Sequence, residues 1–274
     1  MDNYLVFGNP IAQSKSPLIH QMFAEQTQQA ITYTKSQPEE AEFKASVATF
    51  INNGGKGANV TAPFKEQAIQ LCEHLTERAN MAGAVNTLSF RDGKVYGDNT
   101  DGIGLVNDLK SHQVQLTNKS ILLMGAGGAA RGVILPLLAE NPARIVIVNR
   151  TVEKAKLLAT RFNDEKLSAI GYSETAETTF DVIINATSAS LSANLPDLSP
   201  KCITEKTVCY DMVYGAELSL FLTWCAEHKA RQVIDGLGML VGQAAESFYI
   251  WRKVRPEQTQ VLAKLRSQLQ GVDK

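Results

Sequence analysis

Three polar segments of the sequence carry side chains suited to binding an acid and moving a proton. Ser14-Lys15-Ser16-Pro17 follows a predicted strand and caps a predicted helix, so two hydroxyls would stand at a positive helix end suited to a carboxylate. Thr61 and Lys65 are predicted at the cap and in the first turn of a later helix. Asp101 closes the third segment, and Asn86 lies on the partner strand of the adjoining hairpin.

Lys65 is our candidate for proton transfer. An amine can accept a proton, and an ammonium ion can donate one while stabilising negative charge on an oxygen. Asp101 would orient Lys65 and bind substrate. The alternative is that Lys65 is a solvated lysine on a helix surface, as most isolated lysines are.

A glycine-rich turn lies between a buried apolar strand and a helix, within SILLMGAGGAARG. Gly125 can make the turn, Gly127 lets the backbone approach a diphosphate, and Ala130 is small enough for tight packing of strand and helix. The following helix would offer free N–H groups and a partial positive charge. The turn therefore predicts a dinucleotide site, although a tight turn without a ligand is the alternative. The predicted backbone contacts are Gly125, Ala126, Gly127, Gly128 and Ala129.

The choice between NAD and NADP normally depends on the end of the next strand, where an acidic residue favours a free ribose hydroxyl. This chain has Asn149-Arg150-Thr151 there, without a carboxylate. Arg150 can hold a 2′-phosphate bidentately, Thr151 is predicted as a helix cap, and Lys154 adds charge one turn later. The sequence thus favours NADP, with a merely solvated Arg150 as the alternative.

The composition is that of an ordinary globular protein. Of 274 residues 44% are apolar, and 27 basic side chains balance 28 acidic ones, so nothing recruits nucleic acid or an anionic membrane. No apolar run approaches the roughly 18 residues that span a bilayer, and the N-terminus lacks signal-peptide features. The four scattered cysteines predict no metal site. We expect a cytoplasmic monomer or homodimer that binds a small molecule.

Strand-like and helix-like segments alternate along the chain, which predicts an α/β protein with parallel sheets. A doubly wound (Rossmann-type) NADP domain is predicted at 102–236, after a substrate-binding domain at 1–101 that helices within 237–274 complete. Pro136 should kink or shorten its helix.

In the first domain we predict strands at 4–8, 31–35 and 57–60, helices at 16–26, 38–52, 62–71 and 74–82, and a hairpin turning at 91–94. In the second part we predict a strand that ends at 124 and further strands at 144–150, 181–187, 207–214 and 231–235. The helices predicted there are at 127–140, 217–229, 237–253 and 256–270.

The sequence resembles the shikimate dehydrogenase family along essentially its whole length. The resemblance rests on GNPIAQSKSP, GANVTAPFK, AVNT, GDNTDG, GAGGAAR, NRT, INATS, DMVY and DGLGMLVGQAA, which occur in the family's order. It implies reversible, NADP-dependent hydride transfer that interconverts 3-dehydroshikimate and shikimate in the biosynthesis of aromatic amino acids. Alternatives are a quinate/shikimate dehydrogenase of broader specificity and a non-catalytic NADP-sensing relative.

The resemblance also implies roles for individual residues. Ser14 and Ser16 would bind the substrate carboxylate, and Met212 and Gly236 would line the nicotinamide. Glu77 resembles a position from which the family reaches the cofactor. The residues implied to contact the ring hydroxyls, the reacting centre or other parts of the substrate are Thr61, Lys65, Asn86, Asp101, Tyr214 and Gln243.

Some features depart from the family or resemble other sites. After DMVY the family often has a proline, whereas this chain continues with Gly215-Ala216-Glu217. Tyr249 and Lys253 have the spacing of short-chain dehydrogenases but lie on a C-terminal helix, where core packing explains them better. His20 is predicted as a packed or solvated residue. Asn185-Ala186-Thr187-Ser188 would contact the cofactor or simply make a turn.

Overall fold

The computed structural model describes residues 1–187 and 197–271, which form two α/β domains around two six-stranded sheets. The N-terminal sheet has a parallel half and an antiparallel hairpin. Its strands are β1 (Asp2–Phe7), β2 (Ile31–Ser36), β3 (Gly55–Val60), β4 (His74–Leu75), β5 (Thr87–Arg91) and β6 (Lys94–Asp98), in the spatial order β2-β1-β3-β5-β6-β4. The helices of this part are α1 (Ser16–Thr27), α2 (Phe43–Asn52) and α3 (Glu77–Ala82).

The predicted hairpin is confirmed. Arg91 pairs with Lys94, and Asp92 and Gly93 between them have φ angles of 53° and 69°. Two successive left-handed residues favour the type I′ turn that matches the twist of paired strands. The hairpin carries Asn86 just before β5 and brings Asp98 to the end of β6, next to the polar segment that contains Asp101.

Two helix predictions in this domain are wrong. Residues 62–66 form turns and Gln67–Leu71 a short 3₁₀-helix, because the carbonyl of Lys65 accepts from the Val85 N–H at 2.9 Å rather than from the next helical turn. Thr61 is therefore not a helix cap. Residues 74–75 pair with β6 as a strand, which delays α3 to Glu77.

The second sheet is parallel throughout, and its order β12-β11-β10-β7-β8-β9 is that of the doubly wound dinucleotide fold. The sequence interpretation overlooked its edge strand β9. The strands are β7 (Ser120–Met124), β8 (Arg144–Val148), β9 (Leu167–Ile170), β10 (Val182–Asn185), β11 (Val208–Asp211) and β12 (Gln232–Asp235). The remaining helices are α4 (Asp101–Ser111), α5 (Gly128–Ala139), α6 (Val152–Phe162), α7 (Leu220–Glu227), α8 (Leu237–Arg252) and α9 (Thr259–Leu269).

Pro136 lies inside α5 and does not end it early. A proline cannot donate to the carbonyl four residues before it, here that of Gly132. Gly102 of α4 packs at this place: a Cβ on Gly102 would lie 2.4 Å from Pro136 Cγ and 2.5 Å from the Gly132 carbonyl oxygen. The missing side chain lets α4 approach α5 closely, which fixes the start of α4 where Asp101 stands.

The C-terminal helices return to the first domain, as predicted. One apolar cluster joins Ile19 and Phe23 of α1 to Val241 and Phe248 of α8 and to Leu265 of α9, all essentially inaccessible to solvent. Burying a large side chain such as phenylalanine stabilises a fold by about 2 kcal/mol. Because α8 also packs on α4, one helix contacts both domains. Among the described residues no helix is long and apolar enough to cross a membrane.

Candidate active site

A cleft of about 280 Å³ lies where the carboxyl ends of β1, β3 and β11 face α8. It contains every residue predicted to be catalytic or to bind substrate, together with Met212 and Gly236. Its lining consists of Val6, Ile11, Gln13, Ser14, Lys15, Ser16, Asn59, Val60, Thr61, Lys65, Asn86, Asp101, Met212, Tyr214, Gly236, Met239, Leu240 and Gln243.

Lys65 and Asp101 form an ion pair at the inner wall of the cleft. Lys65 Nζ lies 2.6 Å from Asp101 Oδ2, and the two side chains are 30% and 10% exposed. Lys65 stands in the turn after β3 and Asp101 is the first residue of α4. Lys65 is therefore a paired, partly buried cation with access to the cleft, and not a solvated lysine on a helix.

Asn86 holds the other oxygen of the Asp101 carboxylate. Its Nδ2 donates to Asp101 Oδ1 at 2.8 Å, while its Oδ1 accepts from the Thr100 N–H at 2.9 Å. A carboxylate that accepts charge-assisted and neutral hydrogen bonds on separate oxygens has a fixed plane and a fixed direction. The pair can thus present one ammonium group to the cleft in a constant position.

The serine segment forms another wall of the cleft. Ser14 Oγ lies 3.2 Å from Ser16 Oγ and accepts from the Ser16 N–H at 3.3 Å, where α1 begins. Lys15, which the site prediction left out, occupies the cap position without a side-chain cap bond and also lines the cleft. Two hydroxyls, a cation and a helix start are suited to an anionic group such as a carboxylate.

The opposite wall comes from the loop after β11 and from α8. Burial raises the pKa of the Tyr214 hydroxyl above its ordinary value, so Tyr214 is a neutral donor there. Gln243 points its amide N–H to the Leu240 carbonyl at 2.8 Å. Although the family's proline is missing after Tyr214, Arg266 donates to the Gly215 carbonyl at 3.2 Å and fixes this loop.

Gly236 has a steric reason to be glycine. A Cβ on Gly236 would lie 2.2 Å from the Met212 carbonyl oxygen, so a side chain would push the loop after β11 away from α8. Met212 and Gly236 therefore pack backbone against backbone where both line the cleft.

The glycine turn fits a diphosphate. Gly125 has a φ of 108°, which favours glycine, and no atom lies within 4 Å of the position a Cβ on Gly127 would take. Gly127 thus leaves open space next to the backbone at the start of α5. The first N–H groups of that helix have no hydrogen-bond partner within the helix. Ala126, Gly128 and Ala129 complete this start.

The predicted 2′-phosphate site is also open and basic. Arg150 and Lys154 are exposed and make no ion pair with another described residue. Asn149 Nδ2 donates to the Thr151 carbonyl at 2.9 Å, which shapes the loop before α6. Thr151 stands at the cap position, but its side chain makes no cap bond, so the predicted capping interaction is wrong.

Glu77 lies in a different groove, with Leu135, Pro136 and Ala139 of the last turns of α5. The glycine turn is at the other end of that helix, roughly 16 Å away at 1.5 Å per residue. This placement gives no support to a contact between Glu77 and the cofactor. Of the segment at the end of β10, Ser188 lies outside the described residues; Asn185 is buried and donates to Asp211 at 3.2 Å.

The rejected candidates lie outside the cleft lining. Tyr249 is half-buried below the Arg255 guanidinium, 3.9 Å from its ring centre, rather than in the core. His20 is fully buried and stacks on Tyr33 at 4.2 Å. Burial lowers the pKa of His20 to about 3, so its imidazole is neutral at physiological pH.

Gln13, Lys15 and Asn59 are the polar lining residues that the sequence interpretation quoted but did not select. Asn59 is a buried amide at the end of β3, among apolar neighbours, and an uncharged polar residue at such a position is itself a signal of a polar network. Lys15 stood between two selected serines. In an extended segment successive side chains point to opposite sides, so Lys15 would point away from the side of the two serines. Lys15 stands instead at the cap position of α1, where this alternation ends.

Comparison with known proteins places the chain in one family. The model for a shikimate dehydrogenase substrate-binding domain matches residues 6–88, that for shikimate / quinate 5-dehydrogenase matches 108–196, and that for a shikimate 5′-dehydrogenase C-terminal domain matches 236–266. The shikimate dehydrogenase (NADP(+)) of Colwellia psychrerythraea is 59% identical over 268 residues, covering 98% of each chain.

Solved structures agree. The Ael1 enzyme from Pseudomonas putida is 42% identical, with a TM-score of 0.93 over 97% of this chain and 98% of that chain. The shikimate 5-dehydrogenase of Thermus thermophilus, solved with NADP(H) and shikimate, is 28% identical, with a TM-score of 0.88 over 98% of this chain and 100% of that chain. On these matches, and with its cleft and glycine turn, the chain belongs to the shikimate dehydrogenase family.

Proposed function

We propose that this protein is an NADP-dependent oxidoreductase that interconverts shikimate and 3-dehydroshikimate. The observation that carries the proposal is the Lys65–Asp101 ion pair of 2.6 Å, inside a cleft that is also lined by the hydroxyls of Ser14 and Ser16 and by Met212 and Gly236. Shikimate is a small acid with ring hydroxyls, which these walls complement.

The substrate carboxylate would lie against Ser14 and Ser16, at the start of α1. Tyr214 would donate to it or to a neighbouring oxygen from the opposite wall. The ring hydroxyls would then face Thr61, Asn86 and Gln243, whose amides and hydroxyl can both donate and accept. Such a pose places the reacting carbon beside Lys65, because Lys65 and Asp101 lie between these two walls.

When bound, NADP⁺ supplies the acceptor of the hydride that leaves the substrate carbon. Lys65 holds the proton at the hydroxyl oxygen: it takes this proton as the alcohol becomes a ketone and returns it in the reverse direction. As an ammonium ion it also stabilises negative charge on that oxygen. Asp101 orients Lys65 through the ion pair and would accept from an adjacent ring hydroxyl.

Residues of the second domain are suited to binding the cofactor. The open space at Gly127 would take the diphosphate over the start of α5, with Gly125, Ala126, Gly128 and Ala129 around it. Arg150 would bind the 2′-phosphate together with Asn149, Thr151 and Lys154, and Met212 and Gly236 would line the nicotinamide. We infer that residues 1–101 with 237–274 form the substrate-binding unit and 102–236 the NADP-binding unit, which agrees with the helical return of α8 and α9.

An assay with purified protein, shikimate and either NADP⁺ or NAD⁺ tests the proposal. We expect reduction of NADP⁺, and a preference over NAD⁺ of at least about tenfold, because a charge-assisted phosphate contact contributes about 1.4 kcal/mol or more. Arg150→Ala should raise the KM for NADP⁺ and leave that for NAD⁺ nearly unchanged. Quinate in place of shikimate tests the alternative of broader specificity, and an inactive protein that binds NADPH would support the sensing alternative.

A further inference from the structure

Next to the cleft lies a group of buried polar side chains to which the proposed reaction assigns no role. Thr87, Thr100 and Ser247 are at most 1% exposed, and Asn59 beside them is 6% exposed. They come from β3, β5, the segment before α4 and α8, so four parts of the chain meet there. Buried polar groups cost free energy unless they are hydrogen-bonded, and all of these have partners.

The hydrogen bonds of this group connect Asn59 to Asn86. Asn59 Nδ2 can only donate, and it does so to Ser247 Oγ at 3.0 Å. Ser247 and Thr87 are 2.8 Å apart, and Thr87 Oγ1 donates to Asn86 Oδ1 at 2.7 Å. Because the amide oxygen of Asn86 can only accept, the Thr87 hydroxyl must be the donor in this last contact.

Two other acceptors lie near the Ser247 hydroxyl, the Gln243 carbonyl and, at 3.3 Å, Thr100 Oγ1. The Gln243 carbonyl lies 3.0 Å from Ser247 Oγ, but it also accepts from Thr100 Oγ1 at 3.0 Å. Donation from Ser247 to Thr87 leaves the Thr87 hydrogen for Asn86 and gives every group in the series a partner. Whichever acceptor Ser247 uses, the Thr87 hydrogen goes to Asn86, because the amide oxygen of Asn86 cannot donate.

The network permits only one orientation of the Asn86 amide. Its Oδ1 accepts from the Thr87 hydroxyl and the Thr100 N–H, and its Nδ2 faces Asp101. If the amide were rotated by 180°, two N–H donors would meet at Thr100 and two oxygens would meet at Asp101. The Thr100 N–H and the Asp101 carboxylate thus determine that the Asn86 Nδ2 faces Asp101, whose second oxygen holds Lys65. The Thr87 hydroxyl holds the Asn86 amide oxygen in that position at 2.7 Å.

We propose that Thr87 and Ser247 are positioning residues for the reaction, acting through Asn86 on the Lys65–Asp101 pair. This inference rests on the proposed function and deepens it. Neither side chain belongs to the cleft lining, so their effect would come from the direction of the Asn86 amide and not from contact with shikimate. A loss of position by a fraction of an ångström in such a site slows the chemical step.

The test removes each hydroxyl while keeping the volume of the side chain. Thr87→Val should lower kcat by about tenfold, the effect of one lost hydrogen bond, and leave the KM for NADP⁺ unchanged. Thr87→Ser keeps the hydroxyl and should restore most of the kcat. Ser247→Ala should shift kcat in the same direction as Thr87→Val.

The same substitution in an Asn86→Ala background distinguishes positioning from general stability. If Thr87 acts through Asn86, then Thr87→Val should change the kcat of the Asn86→Ala protein by less than about twofold. Thr207→Val is the matched control, because the fully buried Thr207 donates to the Phe180 carbonyl within the nucleotide domain; it should leave kcat unchanged.

Equal losses of kcat from Thr87→Val in both backgrounds would overturn the inference, and so would a Thr87→Ser protein as slow as Thr87→Val. A parent protein that does not turn over shikimate would overturn the proposed function first and this inference with it. Unfolding midpoints measured for all variants show whether a loss of kcat comes from a smaller folded fraction.

Discussion

At the scale of single residues, the site depends on a lysine held by a carboxylate. A free lysine side chain loses conformational entropy when a substrate fixes it, whereas Lys65 is already held at 2.6 Å from Asp101. Asp101 in turn has little freedom, because Asn86 holds its other oxygen. The site therefore meets its substrate with the reacting group in place, which is the condition for efficient proton transfer.

Lys65→Ala should lower kcat by at least about 100-fold, the lower range for a lost general acid–base group, with a smaller change in the KM for shikimate. The measurement is steady-state turnover at saturating shikimate and NADP⁺. Lys56→Ala, at an exposed lysine of β3, is the matched control and should be nearly neutral. A kcat for Lys65→Ala within about threefold of the parent would send the search for the proton carrier to Asp101 or Tyr214.

His20 predicts how stability depends on pH. Burial lowers its pKa from 6.5 in the unfolded chain to about 3, so the folded protein binds fewer protons and loses stability as the pH falls below 6.5. Between pH 6.5 and pH 5 this amounts to about 2 kcal/mol. His20→Phe keeps the stacking on Tyr33 and should remove that loss, as measured by urea unfolding at pH 7 and pH 5.

The parent protein, unfolded in urea at the same two pH values, provides the comparison for this measurement. If His20→Phe retained the parent's full pH dependence, other titrating groups would have to explain it.

Residue types were a better guide to the cleft than predicted local structure. Ser14, Lys65 and Asp101 could be selected from the sequence because they are polar residues at the ends of predicted strands and helices. The ion pair itself could not be derived, since its partners are 36 positions apart and meet only through the packing of β3 against the hairpin.

At the scale of elements, the glycine turn shows two different reasons for glycine. Gly125 needs its positive φ of 108°, whereas Gly127 has an extended conformation, with φ −86° and ψ −170°, that any residue can adopt. The open space above Gly127 thus has no steric role within the described part of the chain. A need for close approach of a ligand accounts for it.

This difference predicts opposite effects of substitution. Gly127→Val should leave the unfolding midpoint nearly unchanged but abolish NADPH binding, measured by calorimetry, while shikimate still binds. Gly125→Ala should lower the free energy of unfolding by about 1 kcal/mol or more, because alanine is strained at positive φ. Undiminished NADPH binding by Gly127→Val would show that the turn has only a structural role.

The errors of the sequence interpretation at this scale have a common cause. The segment at 62–71 looks helical locally, but the Lys65 carbonyl bonds to Val85 in a distant part of the chain. Strand β9 has only four residues and becomes a strand because β8 offers its free edge. Long-range hydrogen bonds decide both outcomes, and neither leaves a periodic signal in a short segment.

At the scale of the whole molecule, the chain crosses between domains twice. It enters the nucleotide domain through α4 and leaves it at Gly236, after which α8 packs on α1 and on α4. Consequently α8 carries Met239, Leu240 and Gln243 into a cleft whose other polar residues come mainly from the first 101 residues. The end of the last predicted strand at Asp235-Gly236 led us to expect this return, but the contact between α8 and α4 is seen only in the fold.

Packing of α8 should therefore affect one ligand more than the other. Phe248 and Phe221 are both fully buried, the first between α8 and α1 and the second below the nucleotide sheet. Replacing either by alanine should lower the free energy of unfolding by about 3–5 kcal/mol, as measured by urea unfolding.

Phe248→Ala should also raise the KM for shikimate several-fold with little change in the KM for NADP⁺, because α8 loses its support next to Gln243. Phe221→Ala controls for the loss of stability alone and should leave the KM for shikimate close to the parent value. An equal rise of this KM in both variants would show that a general loss of stability, and not the packing of α8, determines substrate affinity.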